Sequence, residues 1–181
     1  NKMAVWLQDP NNGVDCDEKK EAMLHMFDQS CVALIYGSAG TGKSTLINHL
    51  SHYFAANSKL FLAQTNPAVD NLKRKVTAAD SEYMTIAKFI KRSNIRTEYD
   101  VLVIDECSTV SNKDMWQVLQ KAQFKILILV GDTYQISAIR FGNWFSVARA
   151  FIPETAVFEL TKPYRTNDTG LLTLWERVRA M

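Results

Sequence analysis

A parallel α/β sheet covered by helices on both faces is the fold class that this sequence predicts, and three observations predict it. Short apolar runs at Cys31–Tyr36, Leu60–Ala63, Val101–Ile104 and Ile126–Val130 have the length and composition of strands buried on both faces. Stretches of about a dozen residues with apolar positions at helical spacing separate several of them, which is the pattern of β-α-β crossovers. The chain also places glycines, hydroxyls and carboxylates just after these runs. Gly37 to Ser44, Thr65, Asp105-Glu106 and Asp132 to Gln135 all fall at carboxyl ends of strands, where open parallel sheets bind ligands.

The 181 residues amount to about one domain, with 21 basic against 19 acidic side chains. Net charge therefore argues for no particular partner, but its distribution is uneven. Residues 73 to 96 hold Lys73, Arg74, Lys75, Lys88, Lys91, Arg92 and Arg96 against only Asp80 and Glu82. Cys16, Cys31 and Cys107 are too widely spaced for a metal knuckle and read as reduced core residues, Cys31 and Cys107 in or beside apolar strands. No apolar run approaches the roughly 18 residues of a membrane span, and the start of the chain has no signal pattern. These features predict a soluble, cytoplasmic protein with no membrane partner.

Taken in order, Val14 to Phe27 reads as a polar-faced helix leading into the first strand. Leu46, Ile47, Leu50, Tyr53 and Phe54 give a helix after Gly42. Following Leu60–Ala63, Asn66 suits an N-cap and Pro67 the first helical position, so a helix should bury Val69, Leu72 and Val76. Tyr83 to Thr85 predicts a short strand, and Ile86, Phe89 and Ile90 a brief helix. Ser111 with Asp114 three residues on marks the next helix start, its apolar face formed by Met115, Val118, Leu119 and Ala122. Leu171, Leu174, Trp175 and Val178 repeat at helical spacing up to the last residue.

Gly37-Ser38-Ala39-Gly40-Thr41-Gly42-Lys43-Ser44-Thr45 matches the phosphate-binding loop at every position, between a strand and a helix. The glycines let backbone N–H groups approach phosphate oxygens, and the helix behind them offers the positive end of its dipole. Lys43 suits the outer phosphates and the Ser44 hydroxyl a magnesium ion. Asp105-Glu106 supplies a carboxylate for the metal and a neighbouring base for the attacking water. Gln135, in Gly131-Asp132-Thr133-Tyr134-Gln135, follows the next strand and suits a donor to a terminal phosphate.

The ordered set GSAGTGKST, LFLAQTNPAVDNL, VLVIDECS, ILVGDTYQI and LTKPYR resembles motifs I, Ia, II, III and IV of superfamily 1 helicases, in the texture of the RecD/TraA-like and Upf-like branch. The resemblance runs from about Val14 to Arg165. It implies a RecA-like P-loop NTPase fold, here the first motor domain, 1–181, of a longer helicase that binds ATP and Mg2+ against a second RecA-like domain of the same polypeptide. It implies phosphate contacts from Gly40, Gly42, Lys43 and Thr45, magnesium near Ser44 and Asp105, Glu106 as base, and Gln135 as sensor of the γ-phosphate. Arg165 resembles the arginine that touches that phosphate. For single-stranded DNA, or RNA, it implies backbone contacts from Thr65, Asn66 and Thr85, while Phe141 and Trp144 stand where some relatives stack bases and serve core packing equally well. The glutamine that reads adenine in such proteins has no counterpart here; Lys19 and Lys20 occupy its window.

Two other classes stay open on the residues alone. One is a P-loop ATPase of a regulatory or defence system without unwinding activity, and the other a nucleotide-gated binding module without catalysis. The isolated 1–181 chain, with one half of a two-domain site, is expected to hydrolyse ATP weakly or not at all.

Overall fold

The computed structural model describes residues 2–14, 16–132 and 144–161, and for 144–147 the backbone alone. Helices α1 (Lys2–Gln8) and α2 (Asp17–His25) lead into strand β1 (Val32–Gly37). Then follow α3 (Lys43–Tyr53), β2 (Lys59–Ala63), α4 (Asn66–Lys75), β3 (Ser81–Thr85), α5 (Ile86–Lys91), β4 (Val101–Ile104), α6 (Asn112–Lys121), β5 (Ile126–Gly131), α7 (Trp144–Phe151) and β6 (Val157–Leu160). The six strands form one sheet in the order β3-β2-β4-β5-β1-β6, and every pairing is parallel. The predicted fold class is the observed one.

Side chains along each central strand alternate between two cores, as the period of two requires. Ala33, Ile35, Phe61, Ala63, Val101, Val103, Ile128 and Val130 join Leu46, Ile47 and Leu50 of α3 and Val69 and Leu72 of α4 on one face. Leu34, Leu60, Leu62, Leu102, Ile104, Leu127 and Leu129 meet Ile86 and Phe89 of α5 and Met115 and Val118 of α6 on the other. Burial on both faces is why these strands read as unbroken apolar runs rather than as alternating ones.

Several expectations need correction. Thr65, not Asn66, caps α4: its hydroxyl accepts a hydrogen bond from the Ala68 N–H at 3.3 Å, with Asn66 already helical and Pro67 following it. Leu119 is 42% exposed, because α6 turns only Met115 and Val118 fully into the core. Cys31 precedes β1 and is exposed, whereas Cys107 is buried; all three cysteines are free. Helix α2 is shorter than the Val14–Phe27 stretch and begins at Asp17. The predicted helix through Leu171 and Val178 lies outside the described residues. No helix among the described residues is long and apolar enough to cross a membrane.

Candidate nucleotide site

The loop after β1 is built by exclusion of side chains at one position and by unusual backbone at two others. A Cβ on Gly37 would lie 2.5 Å from the Leu160 carbonyl oxygen and 2.7 Å from Thr41 Oγ1, so only glycine fits between β1 and β6. Gly40 (φ 86°) and Gly42 (φ 85°) take the left-handed conformation that glycine adopts without strain, and Gly42 is the N-cap of α3. Buried Thr41 braces the loop from within, its hydroxyl donating to the Ser38 carbonyl at 2.9 Å. Lys43 opens α3, and its ammonium donates to the carbonyls of Gly37 and, at 3.1 Å, Ser38.

Strand register brings the carboxylates to this loop. Tyr36 pairs with Gly131 and Ile104 with Leu129, so Glu106 lies level with Gly131 and with the start of the loop. Strand β5 stands between β1 and β4, and two inter-strand steps of about 4.8 Å separate loop strand from carboxylate strand. That gap suits a polyphosphate with its counter-ion. Asp105 is anchored through its N–H to the Leu62 carbonyl at 2.9 Å, and its Oδ1 accepts from the Glu106 N–H at 2.9 Å. Glu106 itself is left-handed (φ 52°, ψ 34°), a conformation costing a residue with a side chain roughly 1–2 kcal/mol. Two hydrogen bonds hold it there, from the Thr109 N–H and hydroxyl to its carbonyl at 2.9 and 2.8 Å. Backbone strain of this kind concentrates at functional sites.

The loop, Asp105, Glu106, Gly131 and Asp132 line one cleft of about 620 Å³, within the size range of small-molecule sites. Its electrostatics are unsettled in a consistent direction. Burial pushes the Lys43 ammonium below its ordinary pKa, against the opposing pull of Asp132 and Asp105. Burial likewise raises the Asp105 carboxyl, offset in part by the Glu106 N–H, Lys43 and Lys75. Glu106 is raised too, by burial and by the charge of Asp105. Among the described residues no group of three His, Cys, Asp or Glu forms a metal cage. The Ser44 hydroxyl and the Asp105 carboxylate instead offer the one or two protein oxygens with which Mg2+ is held when phosphates supply the rest.

Of the other predicted site residues, Thr85 ends β3 paired with Ala63, the last residue of β2, and Thr65 follows two residues after Ala63. Each caps the helix that follows, Thr85 accepting from the Lys88 N–H at 3.2 Å. Asn66 is exposed next to them. Gln135, Phe141 and Arg165 lie outside the described residues, and of Trp144 only the backbone, at the start of α7, is described. The cleft also contains two residues of α4, Asn71, which the motif Ia segment includes without giving it a role, and Lys75, which lies beyond that segment. They lie one helical turn apart, but nothing in the sequence says which flank of α4 meets the loop.

A parallel sheet with a phosphate loop after β1, an acidic pair after β4 and a strand inserted between them defines a RecA-like P-loop ATPase domain. The chain belongs to the AAA domain family, whose model matches residues 16–180. It is 29% identical over 161 residues to a probable conjugal transfer protein TraA of Sinorhizobium fredii, covering 84% of this chain and 14% of that protein. Over 86 residues it is 33% identical to the DNA replication ATP-dependent helicase/nuclease JHS1 of Arabidopsis thaliana, covering 46% of this chain and 6% of that one. In fold it is similar to Bacteroides sp Pif1, solved in complex with ADP-AlF4, with a TM-score of 0.56 at 16% identity over 91% of this chain and 46% of that one. The likeness to superfamily 1 helicases holds. It spans less than half the length of each of these relatives.

Proposed function

We propose that this is the first of two RecA-like domains in a longer cytoplasmic protein that couples ATP hydrolysis to movement along single-stranded DNA. The observation that carries the reading is the strand order. By setting β5 between β1 and β4 it holds the Gly37–Ser44 loop and the Asp105-Glu106 pair on opposite sides of one cleft. In this reading Gly37 to Thr45 cradle the phosphates of ATP through backbone N–H groups, and Lys43 leaves its two carbonyl partners to meet them. Ser44 and Asp105 hold Mg2+, which neutralises phosphate charge when bound. Glu106, whose raised pKa brings it toward neutrality, accepts the proton of the attacking water. Gln135 and Arg165 contact the γ-phosphate.

Thr65, Asn66 and Thr85 face the nucleic-acid backbone in this scheme, contacts that position a strand without reading its sequence. The exposed Lys88 and Lys91 of α5 add positive charge nearby. Phe141 and Trp144 stack bases. The test is ATP hydrolysis by the full-length protein with and without oligo-dT or oligo-U, alongside strand displacement on a tailed duplex. Stimulation by oligo-dT with displacement is expected. Hydrolysis indifferent to either strand, with no displacement, overturns the motor reading and leaves a P-loop ATPase of another kind.

A further inference from the structure

We infer that Lys75, at the last position of α4, is a second polyphosphate-binding cation of the cleft that Lys43 also lines. The inference rests on the nucleotide-site reading above and adds a ligand contact that the loop and acidic motifs do not contain. Lys75 and Asn71 share one flank of α4, four residues apart, and both line the same cleft as Ala39, Ser44 and Asp105. The other flank of the helix is taken up by Val69, Leu72 and, just beyond its end, Val76, all in the core.

The position of Lys75 is fixed on both sides. Immediately after α4, the Thr77 N–H donates to Asn48 Oδ1 at 3.0 Å, and Asn48 belongs to α3, the helix that the phosphate loop opens. The Tyr83 hydroxyl of β3 donates to the Val76 carbonyl at 2.8 Å. The carboxyl end of α4 is thereby tied both to the loop helix and to the sheet. A flexible four-carbon stem reaching from such an anchored base delivers a compact charge into the cleft at little cost in backbone ordering. Its charge reaches both groups, adding to the lowering of Lys43 by burial and offsetting part of the rise that burial imposes on Asp105.

The cleft sets Lys43 and Lys75 against Asp105, Glu106 and Asp132, a polar lining matched to a polyanion carrying a divalent cation. A lysine that binds the polyphosphate also gives α4 a double duty. The helix follows its cap Thr65 on the strand-end edge and finishes in the nucleotide cleft, a ten-residue rod of about 15 Å.

The test is displacement of a fluorescent ATP analogue by ATP and by inorganic tripolyphosphate, from the wild-type chain and from Lys75→Met, Lys75→Arg, Lys73→Met and Lys43→Ala. Lys75→Met is expected to weaken ATP and tripolyphosphate alike by about tenfold or more, the worth of a charge-assisted contact. Lys75→Arg should stay near wild type. Weakening of ATP without weakening of tripolyphosphate assigns Lys75 to the nucleoside and overturns the inference. So does an equal loss in Lys73→Met, which would mean a general field rather than a contact. No loss in Lys75→Met overturns it as well. If Lys43→Ala also leaves the analogue bound, the nucleotide-site reading falls; if Lys43→Ala alone abolishes binding, only the role of Lys75 does. Lys73 and Lys75 are exposed and outside the core, so their variants fold, and an unchanged melting temperature checks this for all four variants.

Discussion

Asp100 and Asp105 flank the same four-residue strand, β4, and the fold treats the two carboxylates in opposite ways. At the amino end, Asp100 accepts from the Ser58 N–H at 3.0 Å, the Ser58 hydroxyl at 3.2 Å and the Lys125 ammonium at 2.7 Å. With the starts of β2, β4 and β5 tied together by these bonds, its pKa falls well below the usual carboxylate range, chiefly through the Lys125 hydrogen bond. At the carboxyl end, Asp105 accepts from one neighbouring N–H, and burial drives its pKa upward. Glu106 beside it is both left-handed and raised. One end of the sheet satisfies its charges and so contributes stability. The other leaves charge incompletely compensated, which is the state a site needs in order to gain from binding a cation and a polyanion.

Replacing the base should produce the largest effect. Glu106→Gln keeps the shape of the cleft and removes the proton acceptor, so ATP turnover by the full-length protein should fall roughly 100-fold or more while ATP binding survives. Steady-state hydrolysis beside analogue binding measures both, and undiminished turnover would remove Glu106 from the chemistry.

Two of the three loop glycines come next. Gly37→Ala forces a methyl to within 2.5 Å of a carbonyl oxygen on β6 and should cost roughly 1–3 kcal/mol, together with nucleotide affinity. Gly40→Ala meets nothing within 4 Å and carries only the strain of φ 86°, roughly 1–2 kcal/mol. Urea unfolding of both variants should rank them in that order.

Charge removal sharpens the contrast directly. Because the folded-state pKa of Asp100 is depressed, it contributes stability above its unfolded value near 3.9, and that stability is lost as pH falls through and below this value. Asp100→Asn should therefore lower the melting temperature by a few degrees at pH 7 and leave ATP binding intact, with the difference closing below about pH 4. For Asp105 the sign reverses. A raised folded-state pKa means that its ionised form costs stability at neutral pH, so Asp105→Asn should melt no lower than wild type while losing Mg2+-dependent turnover. Melting curves from pH 2.5 to 7 decide it, and a lower melting temperature for Asp105→Asn at pH 7 would erase the distinction between the two ends.

What was legible in the chain follows the same division. Strands β1, β2, β4 and β5 were readable because burial on both faces demands unbroken apolar runs, and the phosphate loop because backbone geometry fixes its spacing. The edge strand β6 escaped notice: Val157-Phe158-Glu159-Leu160 is short, mixes in an exposed Glu159 and looks like the end of a loop. Helices α1 and α7 carry no acidic residue in their first turn to mark where they begin. Leu119 fitted the helical period but sits at the rim of its face. Lys75 was counted with a basic run, since only the packing of α4 against α3 turns it toward the loop. Spacing reveals what a local backbone rule dictates; residues gathered by the approach of separate elements carry no such trace.

The α4 cap is where a small effect separates two roles. Thr65 and Asn66 are both good capping residues, and Pro67 is tolerated in the first turn after either, so the sequence is ambiguous by one position. The hydrogen bond from Ala68 N–H to Thr65 Oγ1 resolves it. Thr65→Ala should then cost about 1 kcal/mol of stability, and Thr65→Ser should recover most of it. Asn66 makes no cap, so Asn66→Ala should leave the melting temperature unchanged. A loss of oligo-dT affinity in Asn66→Ala is thus free of any folding contribution and reports contact with the strand. In Thr65→Ala, the same loss has to exceed the Asn66 value before it counts as more than a loosened helix end. If neither variant changes oligo-dT affinity in the full-length protein, the nucleic-acid edge does not lie at the ends of β2 and β3.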